Sequence, residues 1–117
     1  MNIGMVLLGL VLFEQVLQLY TVGTRKGYFH HISRTGILVR VTFAAAFFVV
    51  WLPYVQHAEA VLFLAGVLSQ SVSIVIRHGA NNYIVLARVR YAINLADIYL
   101  VAGVLLLVSK LFTTAPA

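Results

Sequence analysis

The sequence predicts an all-α integral membrane protein with four transmembrane helices. Of its 117 residues, 62% are hydrophobic and only 9% are charged, and the mean hydropathy is +1.00. A water-soluble fold of this composition would expose apolar patches larger than soluble monomers tolerate. The apolar residues form four continuous stretches without strand-like alternation, which favours membrane-spanning helices over strands.

The four stretches belong to a single membrane domain, because no linker, repeat or low-complexity segment divides the chain. Each is close to the roughly 20 apolar residues that a spanning helix needs. Gly23, Pro53 and Gly79 mark the ends of the first three. The single domain covers residues 1–117, and its predicted helices cover about residues 3–22, 37–54, 60–76 and 92–112.

Basic residues concentrate in and beside the first and third connections between helices. The positive-inside rule would place these two connections in the cytoplasm and both termini outside. The formal charge of +5 is spread along helix ends, so no nucleic-acid partner is predicted. The seven basic residues concerned are Arg25, Lys26, Arg34, Arg40, Arg77, Arg88 and Arg90, and Lys110 is the eighth in the chain.

Polar and ionisable side chains lie inside three of the predicted helices. A charged residue at the bilayer centre costs roughly 2.5–3.5 kcal/mol on insertion scales, so such residues face protein or a watery cavity. Hydrogen bonding between helices would account for the serines and glutamines, and Ser69, Gln70 and Ser73 are expected to share one face. For Glu14 and Asp97, a functional or ion-pairing role is favoured. The other polar positions are Gln15 and Gln18 on the first helix and Asn94 on the fourth.

No metal or cofactor is predicted. The chain has no cysteine, which excludes thiolate ligands. His30 and His31 adjoin each other in a connection, and His57 and His78 stand at helix ends, where solvated interfacial histidines are expected. Arg40, near the start of the second helix, is interpreted as a residue whose charged end reaches to the membrane surface.

The start of the fourth helix, Asn94-Leu95-Ala96-Asp97, resembles the F-N-x-A-D segment of lipoprotein signal peptidases (signal peptidase II). That family consists of four-helix membrane aspartyl proteases, and Asp97 matches one of its two catalytic aspartates. Residues 14–18 (E-Q-V-L-Q) resemble the family's D-Q-x-x-K. Residues 65–70 (A-G-V-L-S-Q) resemble its G-G-x-x-G-N, and Gly36 retains one glycine of N-x-G-A-A-F. The similarity follows the same order over most of the chain and implies a four-helix bundle in a bacterial inner membrane.

The differences from the family pattern affect a residue that catalysis would need. The position of the first catalytic aspartate corresponds to Asn82. An aspartyl protease needs one protonated and one ionised carboxyl group to activate water. Asparagine can hold a water molecule but cannot accept its proton. The sequence therefore predicts a non-catalytic protein that binds membrane lipids, a partner's transmembrane helix or a larger membrane complex as an accessory subunit.

Two alternatives stay open. One is an active aspartyl lipoprotein signal peptidase, an intramembrane endopeptidase, and the other is a small transporter or pore subunit that uses Glu14. Asp97 and Asn82 are the candidate catalytic positions, and the candidate binding residues are Glu14, Gln15, Gln18, Gln70 and Asn94. The orientation also stays open, because the family keeps both termini in the cytoplasm while the basic residues indicate the opposite.

Overall fold

The computed structural model describes residues 2–25, 27–54, 57–86, 88 and 91–113. Lys26 and Arg90, which the sequence groups with the basic connections, lie outside the described residues. In chain order the elements are α1 (Ile3–Gly23), β1 (Tyr28–His31), α2 (Arg34–Trp51), a short 3₁₀ turn (Leu52–Tyr54), α3 (Ala58–Arg77), β2 (Gly79–Asn82), β3 (Ile84–Leu86), β4 (Tyr91–Ile93) and α4 (Leu95–Thr113).

Within the described ranges, four helices are long and apolar enough to cross a membrane, and they are α1 to α4. The chain is therefore a mostly helical, multi-pass membrane protein, and this part of the prediction is confirmed. Large apolar side chains such as Met5, Val49 and Phe112 are 70%, 72% and 81% exposed, as expected for surfaces in contact with lipid.

The start and the end of α2 and the start of α4 differ from those expected. Helix α2 begins at Arg34 and not at residue 37, because Ser33 caps it by accepting a hydrogen bond from the Gly36 N–H group (3.1 Å). It ends at Trp51, two residues before Pro53. Helix α4 begins at Leu95 and not at residue 92, because residues 92 and 93 belong to strand β4.

Helix α3 is the centre of the bundle and packs against α1, α2 and α4. Its close contact with α4 depends on two glycines. A Cβ atom on Gly66 would lie 2.8 Å from the Ala96 carbonyl oxygen, and one on Gly103 would lie 2.9 Å from the Glu59 carbonyl oxygen. By contrast, α2 has no buried residue among those described, so it covers only one side of α3.

Two small antiparallel sheets lie at the end of the bundle formed by the first and third connections, which we call the sheet end. Strand β1 pairs with β2, with Tyr28 opposite Asn82 and His31 opposite Gly79. Strand β3 pairs with β4. The all-α prediction missed these strands, because each has only three or four residues and β1 is exposed throughout, without an alternating pattern.

Candidate functional site

The first polar cluster joins α1 to α3 through Gln15. Its Nε2 atom donates to the Ser69 carbonyl and hydroxyl oxygens, both at 2.9 Å, and to the Ser73 hydroxyl at 3.1 Å. Its carbonyl oxygen accepts a hydrogen bond of 2.6 Å from the Arg77 guanidinium. Ser69 and Ser73 are 0% and 1% exposed, so both ends of the Gln15 amide are satisfied inside the protein.

Gln18, one turn further along α1, holds strand β2. Its Nε2 atom donates to Glu14 Oε1 (2.8 Å) and to the Asn81 carbonyl (3.0 Å), and its oxygen accepts from the Asn81 N–H group (2.8 Å). The side-chain amide therefore pairs with Asn81 as a neighbouring strand would. Asn81 Nδ2 also donates to the Thr21 hydroxyl at 2.7 Å.

Glu14 is linked to the start of α4 by Tyr83. The Tyr83 hydroxyl donates to Glu14 Oε2 and accepts a hydrogen bond of 3.0 Å from the Leu95 N–H group. Burial, followed by the hydrogen bond to Glu14, raises the pKa of Tyr83, so its hydroxyl stays protonated as a donor. Glu14 and Gln18 are both 0% exposed. We call this cluster, with the Gln15 contacts, the α1–α3 network.

The second cluster caps α4. Asn94 Oδ1 accepts from the Asp97 N–H group (3.1 Å), and Asp97 Oδ2 accepts from the Asn94 N–H group (3.0 Å). This reciprocal pair is a capping box, which satisfies two backbone donors at a helix start. Gln70 Nε2 donates to the other Asp97 oxygen at 2.8 Å, and Asn94 Nδ2 donates to Asn82 Oδ1 at 3.1 Å. We call this cluster the α4 cap.

An open groove of about 640 Å³ lies between α2 and α3, beside the α4 cap. Asn82 and Asp97 both line it, with Gln70 between the helices. The residues that each helix contributes follow helical spacing and so form one face of that helix. Its helical lining is Arg40, Phe43, Ala44 and Phe47 from α2; Val67, Gln70, Ser71 and Ile74 from α3; and Asp97 and Leu100 from α4.

The predicted site residues divide between the two clusters. Glu14, Gln15 and Gln18 belong to the α1–α3 network, behind α3 as seen from the groove. The remaining four, Gln70, Asn82, Asn94 and Asp97, belong to the α4 cap. The polar residues of the third helix, which are expected to share one face, have different partners: the hydroxyls of Ser69 and Ser73 meet Gln15 on α1, whereas the Gln70 side chain meets Asp97 on α4.

Several participating residues were not singled out as site residues from the sequence. Tyr83 is not among the predicted site residues. His30 is expected to be solvated and Arg40 to reach the membrane surface, yet both line the groove. A signal for Arg40 is its spacing to Phe43 and Phe47, which places all three on one helical face. The strand residues Asn81 and Asn82 carry no such periodic signal.

The carboxyl side chains of the protein lie in different parts of the structure and have different partners. The sequence has three acidic residues. Asp97 faces the groove, Glu14 is enclosed in the α1–α3 network, and Glu59 lies at the opposite end of the bundle, 3.0 Å from Lys110 Nζ. Within the described ranges, no three His, Asp or Glu side chains are placed to hold a metal ion together.

Comparisons with protein-family models, with curated proteins and with solved structures gave no match. The chemistry of the site therefore rests on its own geometry. A single carboxylate with both oxygens in hydrogen bonds, flanked by amides, can orient polar groups of a ligand. An aspartyl protease needs two carboxyl groups that exchange a proton, and among the residues that line the groove only Asp97 carries one.

Proposed function

We propose that this chain is a signal-peptidase-II-like protein of a bacterial inner membrane that binds without cleaving. Its occupant is a lipid or a partner's transmembrane helix, held in the groove between α2 and α3. The observation that carries the proposal is that Asp97 and Asn82, the positions matching the two catalytic aspartates, line one groove and include only one carboxyl group.

The hydrogen bonds of Asp97 support a structural and binding role. One carboxylate oxygen completes the α4 capping box, and the other accepts from Gln70. Asn82 accepts from Asn94 through its side-chain oxygen, so this amide is fixed in orientation. An asparagine in that position can donate to a ligand or a water molecule but cannot take up its proton.

The transport alternative is less well supported because of where Glu14 lies. A proton-coupled carrier needs its intramembrane carboxyl group to be reached from one side and then from the other. Glu14 is 0% exposed and is held by Gln18 and Tyr83, and it is not among the residues lining the groove. These contacts favour a packing role for this glutamate.

An accessory role in a larger membrane complex is compatible with the proposal. Helix α2 buries none of its described residues, and its side away from α3 carries large exposed side chains such as Leu38 and Val49. Copurification from mild detergent would reveal a stoichiometric partner on such a surface.

The direct test of the non-catalytic proposal is a cleavage assay with a lipoprotein precursor, using the full chain reconstituted in vesicles. We expect no cleaved product from the wild type or from Asp97→Asn. Turnover by the wild type that is abolished by Asp97→Asn would overturn the proposal and favour an active aspartyl peptidase. The structural effect of this substitution is measured separately by thermal unfolding.

A further inference from the structure

We propose that the occupant of the groove between α2 and α3 is a single anionic phospholipid, with its phosphate at Arg40 and His30 and its acyl chain against Phe43 and Phe47. This inference rests on the proposed function and names the ligand class of the same groove. It depends on three features: the polarity gradient along the groove, its depth and its charge.

The groove changes from polar to apolar along its length. At the sheet end it is lined by His30, Arg40 and Asn82, and further along α2 by Phe43, Ala44 and Phe47. The Cα–Cβ bond of a helical residue tilts toward the helix N-terminus, which for α2 is the sheet end. The long Arg40 side chain is therefore suited to bring its charge to the headgroup level while the phenylalanines stay at the depth of the acyl chains.

The depth of the groove fits a lipid of one leaflet better than a transmembrane helix. Seven residues separate Arg40 from Phe47, a rise of roughly 10 Å. Beyond that point α2 closes on α3, because the Phe63 ring packs against Phe47 and Trp51 at centroid distances of 5.6 and 5.9 Å. A 20-residue helix is about 30 Å long and needs an open surface over that length, whereas the groove of about 640 Å³ can take the headgroup and the upper part of one acyl chain while the rest of the lipid stays in the bilayer.

The charge at the sheet end complements an anionic headgroup. Arg40 lines the groove itself, whereas Arg25, Arg34 and Arg88 are exposed at the same end without lining it, so they attract anionic lipids to the surrounding membrane and not into the groove. Each basic residue near an anionic membrane surface attracts it by about 1 kcal/mol. The one acidic residue among those lining the groove, Asp97, has its two oxygens occupied by Gln70 and by the Asn94 N–H group.

The test measures which lipid stays with the protein. The full wild-type chain is reconstituted in vesicles of equal parts phosphatidylglycerol and phosphatidylcholine, extracted in mild detergent and examined by native mass spectrometry. We expect one retained lipid per chain, with phosphatidylglycerol several-fold enriched. Arg40→Gln should lower this enrichment about fivefold, the effect of one basic residue, and Arg40→Lys should retain most of it.

Two further variants identify the groove as the site. Arg34→Gln removes a charge on the same helix from a residue that does not line the groove, so the enrichment should stay within about twofold of wild type. Ala44→Trp fills the apolar part of the groove and should reduce retention of both lipids. Circular dichroism and gel filtration confirm that each variant is folded.

Retention of no lipid, or equal retention of the two lipids by the wild type, would overturn this inference. Equal losses for Arg34→Gln and Arg40→Gln would also overturn it, since diffuse surface charge and not the groove would then select the lipid. The cleavage assay tests the proposed function independently of the lipid measurement. Cleavage there would refute the non-catalytic role whatever lipid is retained.

Discussion

The α1–α3 network and the groove between α2 and α3 lie on opposite sides of the same helix, and they differ in how their polar groups are satisfied. In the network, both the nitrogen and the oxygen of the Gln15 and Gln18 side-chain amides are hydrogen-bonded to protein groups, and Glu14 is fully buried. In the groove, Arg40 and His30 are exposed. Intramembrane polarity thus serves packing on one side of α3, and on the other side it is available for the ligand binding that we propose.

The reason for this difference lies in the partners of α3. Helix α1 packs its polar face tightly onto Ser69 and Ser73, whose small side chains allow the approach. Helix α2 contacts α3 through the aromatic cluster of Phe47, Trp51 and Phe63, and beside this cluster the two helices leave the groove open. Substitutions on the two sides should therefore have different effects on stability.

The largest effect is expected for Gln18→Leu. Leucine removes the hydrogen bonds that Gln18 makes with the N–H and C=O groups of Asn81 and with one Glu14 oxygen, and a buried polar group that loses a hydrogen bond costs about 1–3 kcal/mol. We expect the free energy of unfolding to fall by about 3–5 kcal/mol. Thermal unfolding in mild detergent, followed by circular dichroism, measures this change.

The matched control for this substitution is Leu19→Ala, at the next position on α1. Leu19 is 60% exposed, so its truncation should change stability by less than about 1 kcal/mol. If Gln18→Leu were as mild as this control, the α1–α3 network would not be the packing element inferred here.

Tyr83→Phe should have the next largest effect. The substitution removes the hydroxyl that donates to Glu14 and accepts from the Leu95 N–H group. We expect a loss of about 2 kcal/mol and faster hydrogen exchange of the Leu95 amide. Tyr28→Phe, on the exposed strand β1, should resemble the wild type, and a similar exchange rate in both variants would contradict the link between α1 and α4.

The raised pKa of Tyr83 predicts that the stability of the protein depends on pH in the alkaline range. The pKa of this tyrosine is raised in the folded protein, so above the ordinary tyrosine value of about 10 the unfolded chain loses a proton that the folded chain keeps. The stability contributed by Tyr83 is fully present below pH 10 and declines as the pH rises above it. Unfolding measured between pH 9 and about 11 should show a smaller decline for Tyr83→Phe than for wild type.

Asp97→Asn should cost less, about 1 kcal/mol, because it weakens one helix cap and leaves the α1–α3 network intact. The first turn of α4 should exchange its amide hydrogens faster, while the helix content measured by circular dichroism stays unchanged. A loss above about 3 kcal/mol would mean that Asp97 supports the fold beyond its capping box.

The smallest effect is expected in the groove. Phe43 is 62% exposed, so Phe43→Ala should change the free energy of unfolding by at most about 0.5 kcal/mol. Leu64→Ala is the matched truncation in the core, at a residue that is 0% exposed, and should cost about 2–5 kcal/mol. Similar losses for the two variants would show that the groove side of α2 is packed, contrary to the comparison.

The four helices were predictable because continuous apolar runs of spanning length leave few alternatives in a membrane. The exact starts of α2 and α4 could not be predicted in the same way. They depend on the caps Ser33 and Asn94, and a capping residue differs from any other serine or asparagine only by its hydrogen bond to the residue three positions further on. Asn94 and Asp97 have the spacing of a capping box, so the sequence carried a structural explanation for this pair beside the catalytic one.

The pairing of the polar residues could not be predicted from spacing within single helices. Gln18 meets Asn81 and Glu14 meets Tyr83 only because strand β2 returns to α1 at the sheet end, a contact between residues more than 60 positions apart. The groove could not be predicted from the sequence either. Arg40 and Phe43 share a helical face in the sequence, but whether that face is open or covered depends on how α2 packs on α3.

The most direct test of the division between network and groove uses Ser71→Cys and Ser73→Cys, each of which would carry the only cysteine of the chain. The two sites are two residues apart on α3, one lining the groove and the other 1% exposed beside Gln15. We predict rapid maleimide labelling of the first, slowed by added phosphatidylglycerol, and no labelling of the second until the protein unfolds. Equal labelling rates at the two positions would contradict the account.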